Sequence, residues 1–195
     1  MAYHNKKKGL ALLELIVVLA ILGFITSAVV TLASKSFAAN NLNSLVRNIT
    51  NITVGMKLIF KGDYDLPGDD VFNTELPDIL LKFGAVTPQS LRNPLGGEFE
   101  FKPASIRGRK ERGAFIVLKD ISAEDCLTVS QQMFYGVDYL KVGFNATVDT
   151  DMFVRNPTAS NGYLKTLNSK NEFNISDALE ACGNEISSTV IFGVR

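Results

Sequence analysis

Lys6-Lys7-Lys8-Gly9-Leu10-Ala11-Leu12-Leu13-Glu14-Leu15-Ile16-Val17-Val18-Leu19-Ala20-Ile21-Leu22-Gly23 is the stretch that decides the fold. Three lysines give way at a glycine to an apolar run. From Leu10 to Ala33 that run is 24 residues long and holds one ionisable side chain, Glu14. As an α-helix it spans about 36 Å, enough to cross a bilayer core with some tilt. Positive charge ahead of it holds this end in the cytoplasm. The rest of the 195 residues reads as a polar chain, long enough for one domain with a real core. Two parts in two solvents are expected: an apolar stem and a water-facing head.

Downstream, the helical signal continues but changes character. Leu42, Leu45, Val46, Ile49, Ile52, Met56, Ile59 and Phe60 recur at spacings of 3, 1, 3, 3, 4, 3 and 1, an apolar stripe on one helix face. No proline occurs before Pro67, and Lys61-Gly62 offers a stop. The pattern predicts one helix from Leu10 to Lys61, on the order of 78 Å long. Its first half is apolar all round; its second half packs on the head. Gly23 is the only glycine within Leu10–Ala33, and the Phe24-Ile25-Thr26-Ser27 that follows forms helix only moderately well. That stretch is expected to be helical; the sequence permits it to loosen but does not require it.

Two ordinary readings compete for the apolar run. A cleaved secretory signal would end near Ser36-Phe37-Ala38 and leave Ala39 as the terminus, but its apolar region should be only about 7–15 residues long and free of glutamate. A plain signal anchor has no use for Glu14, whose charge costs a few kcal/mol inside lipid. An intramembrane carboxylate calls for a partner.

Composition argues against several function classes. Lys plus Arg number 20 and Asp plus Glu number 20, so no net charge steers nucleic acid or an acidic substrate. The only histidine is His4, which excludes Ser-His-Asp, Cys-His and histidine metal sites from the body of the chain. There is no Walker loop or dinucleotide fingerprint, and Gly96-Gly97 and Gly108 read as turns. We expect no catalytic residue, no metal and no cofactor. The sequons at Asn48, Asn51, Asn145 and Asn174 read as chance matches. Two cysteines, Cys126 and Cys182, lie far from the apolar run. An even count in an exported chain favours one disulfide over two buried thiols. Such a bridge would add about 4 kcal/mol in the chain-entropy model.

In the head, Thr74–Phe83 is expected to form a short helix ending at Gly84. Glu98-Phe99-Glu100-Phe101 alternates as a strand, Ala114–Leu118 reads as a central strand, and Tyr139–Val148 as another alternating one. Ser122 is placed to cap a helix with Glu124 and Asp125 in its first turn, running through Cys126 to about Phe134. Ser176–Cys182 reads as a helical turn and Ser188–Val194 as a terminal strand. Strands dispersed between helices predict an α+β head, a largely antiparallel sheet against the stem helix.

Gly9, the apolar Leu10, three spacers and Glu14, set behind lysines at the head of an apolar helix, resemble the prepilin signature of type IV pilins. The resemblance implies cleavage after Gly9 by a prepilin peptidase on the cytoplasmic face and N-methylation of the new terminus at Leu10. Residues 1–9 would be the leader, 10–33 the transmembrane and filament-core helix, 34–62 the amphipathic stem and 63–195 the head. Loss of Lys6, Lys7 and Lys8 takes the charge from 20 − 20 to 17 − 20, or −3. Cleavage creates an amine at Leu10, which Glu14 of a neighbouring subunit, or of the same chain one helical turn away, can pair. Between subunits the pair would fix registry, because each wrong stagger buries an unpaired charge.

Leu91-Arg92-Asn93-Pro94-Leu95-Gly96-Gly97, the strand at Ala114–Leu118 and Ala123-Glu124-Asp125-Cys126-Leu127-Thr128 are similar to the heads of type IVb pilins, the class of the toxin-coregulated and bundle-forming pilins. In that class a disulfide-bounded region and a closing strand fall where Cys126, Cys182 and the last strand stand here. The nine-residue leader departs from the long type IVb leaders. The resemblance implies a structural subunit of a helical homo-oligomeric pilus serving adhesion, aggregation or conjugation. Its partners would be prepilin peptidase, an assembly platform, an ATPase and an outer-membrane secretin, and the bacterial inner membrane would hold the precursor with its head in the periplasm. A minor pilin, a type II secretion pseudopilin, and a signal-anchored binding protein or enzyme are the alternatives.

Overall fold

The computed structural model describes residues 4–61, 72–169, 172–183 and 187–195. They fall into two compact units, Met1–Asn41 and Leu42–Arg195. Helix α1, His4–Lys61, runs through the first and into the second. It starts ahead of the expected Leu10, because the lysines are good helix formers and a lone Gly9 does not break a helix. Its described part reaches Lys61, and the stop expected at Lys61-Gly62 falls at the edge of the described residues. In the first unit every residue from Leu13 to Asn41 is exposed.

The second unit has its own core. On α1, Leu45, Ile49, Ile52 and Met56 are fully buried, and Leu42, Val46 and Phe60 pack partly against the same cluster. This is the stripe read from the sequence. Helix α2, Phe72–Lys82, adds Phe72, Leu76 and Leu80. It begins two residues before the expected Thr74. Asn73 in its first turn accepts the Phe101 N–H at 2.6 Å, tying α2 to the sheet.

Five strands form one sheet: β1 Glu100–Ile106, β2 Arg109–Ile121, β3 Tyr139–Gly143, β4 Tyr163–Lys165 and β5 Ser188–Val194. Their spatial order is β1-β2-β5-β3-β4, and every neighbouring pair is antiparallel. The last strand in sequence is the central one, and all seven of its residues are buried. Period-2 alternation sends Ile116, Leu118, Val190 and Phe192 to the core shared with α1. Phe115, Val117 and Ile191 point the other way, into a second cluster with Tyr139 and Met152. Gly193 makes room there: a Cβ would stand 2.7 Å from that of Tyr139.

Several strand boundaries differ from the sequence reading, each for a local reason. β1 starts at Glu100, not Glu98, which makes only an isolated bridge to Arg92. It continues through Pro103, which an edge strand tolerates because no outer partner needs the missing N–H. β3 stops at Gly143 rather than Val148, as Asn145 turns with φ 50°. It is buried almost throughout instead of alternating, since both its faces are covered. A 3₁₀ turn at Ala159–Asn161 and the three-residue β4 were not anticipated, being too short to leave a periodic signal. Gly162 between them has φ 81°, and a Cβ there would meet the Val142 carbonyl oxygen at 2.0 Å.

Helices α3, Ala123–Met133, and α4, Ile175–Cys182, complete the head. Ser122 caps α3 as expected, its Oγ accepting the Asp125 N–H at 3.1 Å. Asn174 caps α4 in the same way, accepting the Ser176 N–H at 2.9 Å.

Candidate assembly segment and disulfide-bounded region

Gly9 and Leu10 lie on the helical backbone of α1. Glu14 follows one turn later and is exposed. It has no ion-pair partner among the described residues. Its neighbours Leu13, Leu15, Ile16 and Val17 are exposed as well, as are the larger apolar residues as far as Phe37. Three hydroxyls in the segment are satisfied internally, Ser34 Oγ donating to the Thr31 carbonyl at 2.9 Å. Thr26 Oγ1 donates to the Leu22 carbonyl at 2.7 Å, and Thr31 Oγ1 to the Ser27 carbonyl at 2.9 Å. Helix α1 passes Gly23 without a break. Between Leu13 and Ala33 the one charge lacking a counter-charge is therefore Glu14, set in an apolar surface. Such a surface is stable against lipid or against other apolar helices.

Cys126 in α3 and Cys182, the last residue of α4, form a disulfide with Cα atoms 6.0 Å apart. Both are buried, and Ser188 Oγ donates to the Cys182 carbonyl at 3.0 Å, joining the bridge to the start of β5. The bridge closes a loop of 56 residues in sequence separation.

Inside that loop two polar clusters hold the chain in place. The first centres on Asp149, which accepts from the Tyr139 hydroxyl, from the Tyr163 hydroxyl at 2.9 Å and from Lys141 Nζ at 3.2 Å. Lys141 Nζ also donates to the Thr147 carbonyl at 3.0 Å and lies over the Tyr163 ring. Burial first, and the bond to Asp149 second, push the Tyr163 phenol up to about 12. The same causes raise Tyr139 further. Three donors on one carboxylate pin residues 147–149 over the sheet.

The second cluster is Lys165. Its ammonium donates to the carbonyls of Phe134 at 2.8 Å and Val137 at 2.7 Å, just past the end of α3, and sits over the Phe134 ring. A cation suits a helix C-terminus. Burial lowers its affinity for the proton, and Asp138 opposes that shift. Neither cluster was found from sequence. Two lysines buried in strands were the available signal, since buried lysines almost always have partners. Two of the sequon asparagines have structural uses as well: Asn48 donates to the Arg92 carbonyl at 2.9 Å, and Asn174 is the α4 cap. Among the described residues no group of three His, Cys, Asp or Glu side chains converges as metal ligands would.

Residues 4–30 match the family model described as the prokaryotic N-terminal methylation motif. The chain is 25% identical to the toxin coregulated pilin of Vibrio cholerae serotype O1 (strain ATCC 39315 / El Tor Inaba N16961), over 97% of this chain and 92% of the relative. A second toxin coregulated pilin from Vibrio cholerae is 28% identical over 48% of this chain and 44% of its own length. Among solved structures, TcpA, a type IV pilin from Vibrio cholerae El Tor biotype, superposes with a TM-score of 0.67, covering 80% of this chain and 99% of that one at 16% identity. The type IVb pilin from Salmonella typhi gives 0.51, with 77% and 97% covered, also at 16% identity. The structures speak to fold: a long N-terminal helix with an antiparallel sheet, as expected of an α+β pilin head. A methylation motif at the N-terminus, a relative aligned over nearly the full length and a shared fold agree in what this chain is similar to: the type IVb pilins.

Proposed function

We propose that this chain is a structural subunit that polymerises into an extracellular type IVb-like pilus. One observation carries the reading: an exposed apolar helix in which Glu14 is the one charge between Leu13 and Ala33 and has no ion-pair partner among the described residues, continuous with a stretch of helix that packs in the core of a head. In water the first unit has nothing to bury its surface against. A lipid bilayer serves the precursor, and a bundle of like stems serves the filament.

Processing gives Glu14 its partner. A prepilin peptidase cuts between Gly9 and Leu10, and the new amine at Leu10 is methylated. Methylation leaves the nitrogen a cation and a donor. In a staggered stack the amine of one subunit meets Glu14 of the next, and the pair sets registry because either charge alone in that apolar core is costly. The stretch after Gly23 loosens in the packed filament and lets the stem lengthen. Residues 1–9 are then the leader, 10–33 the membrane and filament-core helix, 34–62 the amphipathic stem and 63–195 the head. The precursor sits in the inner membrane with its head in the periplasm. The assembly platform, its ATPase and an outer-membrane secretin carry the polymer outward.

Intact mass of the mature subunit tests the processing step. The expected mass is that of Leu10–Arg195 plus one methyl group, with the disulfide formed. A terminus at Ala39 would sink the proposal in favour of an ordinary signal peptide.

A further inference from the structure

Zero net charge conceals a local excess. Residues 105–112 carry Arg107, Arg109, Lys110 and Arg112 against one acid, Glu111. They span the end of β1, the Arg107-Gly108 turn and the start of β2, and the turn is held firmly. Asp151 accepts the backbone N–H groups of Arg107 at 3.1 Å and Gly108 at 2.7 Å, and the Arg107 guanidinium lies 5.2 Å from the centre of the Phe153 ring. Beside the turn is a cleft of about 440 Å³ lined by Phe60, Lys61, Ile106, Arg109, Arg112 and Arg195. Four of these six are cations. Arg195 shares Asp138 with Lys57, each at 3.6 Å, distances that leave both pairs loose. Lys61 and Arg109 have no ion pair among the described residues. Phe60 and Ile106, both half-buried, supply the apolar part of the lining.

We propose that this cleft binds an acidic saccharide, a carboxylate- or sulfate-bearing unit of an extracellular polysaccharide. Guanidinium forks match planar and tetrahedral oxyanions, and three of them line one opening. Phe60 and Ile106 offer an apolar surface to the C–H face of a sugar ring. The volume lies within the roughly 300–1,000 Å³ range of small-ligand sites, at the size of one or two rings. Nucleic acid fits less well. A duplex calls for a stripe of cations reaching about 6–10 phosphates, and a single strand for successive aromatic platforms. Here one aromatic and a compact cluster are present. The inference rests on the pilin reading only in placing the head outside the cell; binding itself needs no assembly.

The test uses the full-length chain in non-ionic detergent, titrated calorimetrically at low and moderate salt. The probes are oligogalacturonate, dextran sulfate oligomers, neutral dextran, polyaspartate and a short DNA duplex. The acidic saccharides should bind and neutral dextran should not; the tighter of the two names the oxyanion. Arg109→Gln should weaken binding by about tenfold, as loss of a charge-assisted contact does. Arg109→Lys keeps the charge without the fork and should still weaken it severalfold. Lys119→Gln, whose lysine pairs with Glu100 outside the cleft, should bind as wild type does. The proposal is overturned if neither saccharide binds, if Lys119→Gln loses as much as Arg109→Gln, or if polyaspartate or DNA binds as tightly as the better saccharide. Because the measurement is made on unassembled chains, failed assembly and failed ligand binding are separate results.

Discussion

Two stretches of one helix follow different rules. From Leu13 to Asn41, α1 has no buried residue; from Leu42 to Lys61, it carries a buried stripe. The second stretch is stabilised by packing that belongs to the chain itself. Five side chains with exposures of 3% or less, Leu45, Ile49, Ile52, Met56 and Ile59, contribute on the order of 1.5–3 kcal/mol each relative to exposure. The first stretch has only its own backbone bonds and high apolar content. Its stability is borrowed from lipid or neighbouring stems. The difference separates the two tasks of the molecule: substitutions before residue 42 should act on assembly, and those after it on folding.

The largest expected effect tests the first task. Glu14→Gln keeps the size and hydrogen-bonding ability of the side chain but cannot answer a buried amine. It should be cut normally, accumulate in the inner membrane and yield few filaments, with thermal melting of the head unchanged. Co-expressed with wild type, it should be incorporated poorly. Normal fibre yield with a correctly cut terminus would falsify the registry mechanism and leave apolar packing alone to set the stagger.

Next comes the disulfide. Replacing Cys126 and Cys182 together by Ser should destabilise the second unit by about 4 kcal/mol, the loop-entropy value for a separation of 56 residues. Denaturant unfolding of the full-length chain in detergent measures it. Thiol labelling of wild type under denaturing conditions without reductant should find no reactive thiol. Helicity of the first unit should survive the change, since both cysteines belong to the core of the second. Loss of that helicity would break the proposed division of labour.

A matched pair of isoleucines gives a smaller but sharper comparison. Ile52 is fully buried, whereas Ile21 is 54% exposed. Ile52→Ala should cost about 2–5 kcal/mol in head stability through lost burial and a residual cavity. Ile21→Ala should leave head stability within about 0.5 kcal/mol of wild type and instead reduce filament yield. Equal effects on head melting would mean that the two stretches are coupled.

The parts legible in sequence are those with a repeating signal or a capping residue. The stem shows in the Leu42-to-Phe60 spacing, α3 in Ser122 with its two acids, and β5 in Ser188–Val194. What stayed hidden depends on contacts across the fold. That β5 lies in the middle of the sheet is set by pairing with β2 and β3, which no local pattern encodes. Asp149 meets Tyr139 and Tyr163 only because β3 and β4 pair and the chain between them doubles back. β4 has three residues, fewer than two periods of alternation. The cationic cleft joins residues 60–61, 106–112 and 195, three distant stretches in a chain whose charges sum to zero.

The smallest expected effect titrates the second unit alone. Tyr163 is held protonated by burial and by its bond to Asp149, with its pKa raised from 10.0 to about 12. In the unfolded chain the phenol loses its proton near 10, so the folded state favours the protonated form. The stabilisation is fully present below pH 10, falls as pH rises between 10 and 12, and is gone above 12, where a tyrosinate would face the Asp149 carboxylate. Tyr139 shifts in the same direction and extends the window upward. Urea unfolding at about pH 9 and about pH 11.5, with tyrosinate absorbance followed in parallel, reads this slope. Tyr163→Phe should flatten it and cost about 1 kcal/mol at neutral pH, the net value of one hydrogen bond. The first unit has no tyrosine between Leu13 and Asn41. Its helicity should therefore pass through the same pH window unchanged, while Tyr163 loses its hold on Asp149. A slope that persists in Tyr163→Phe would assign the alkaline loss to other groups and remove the Asp149 cluster from the account of head stability.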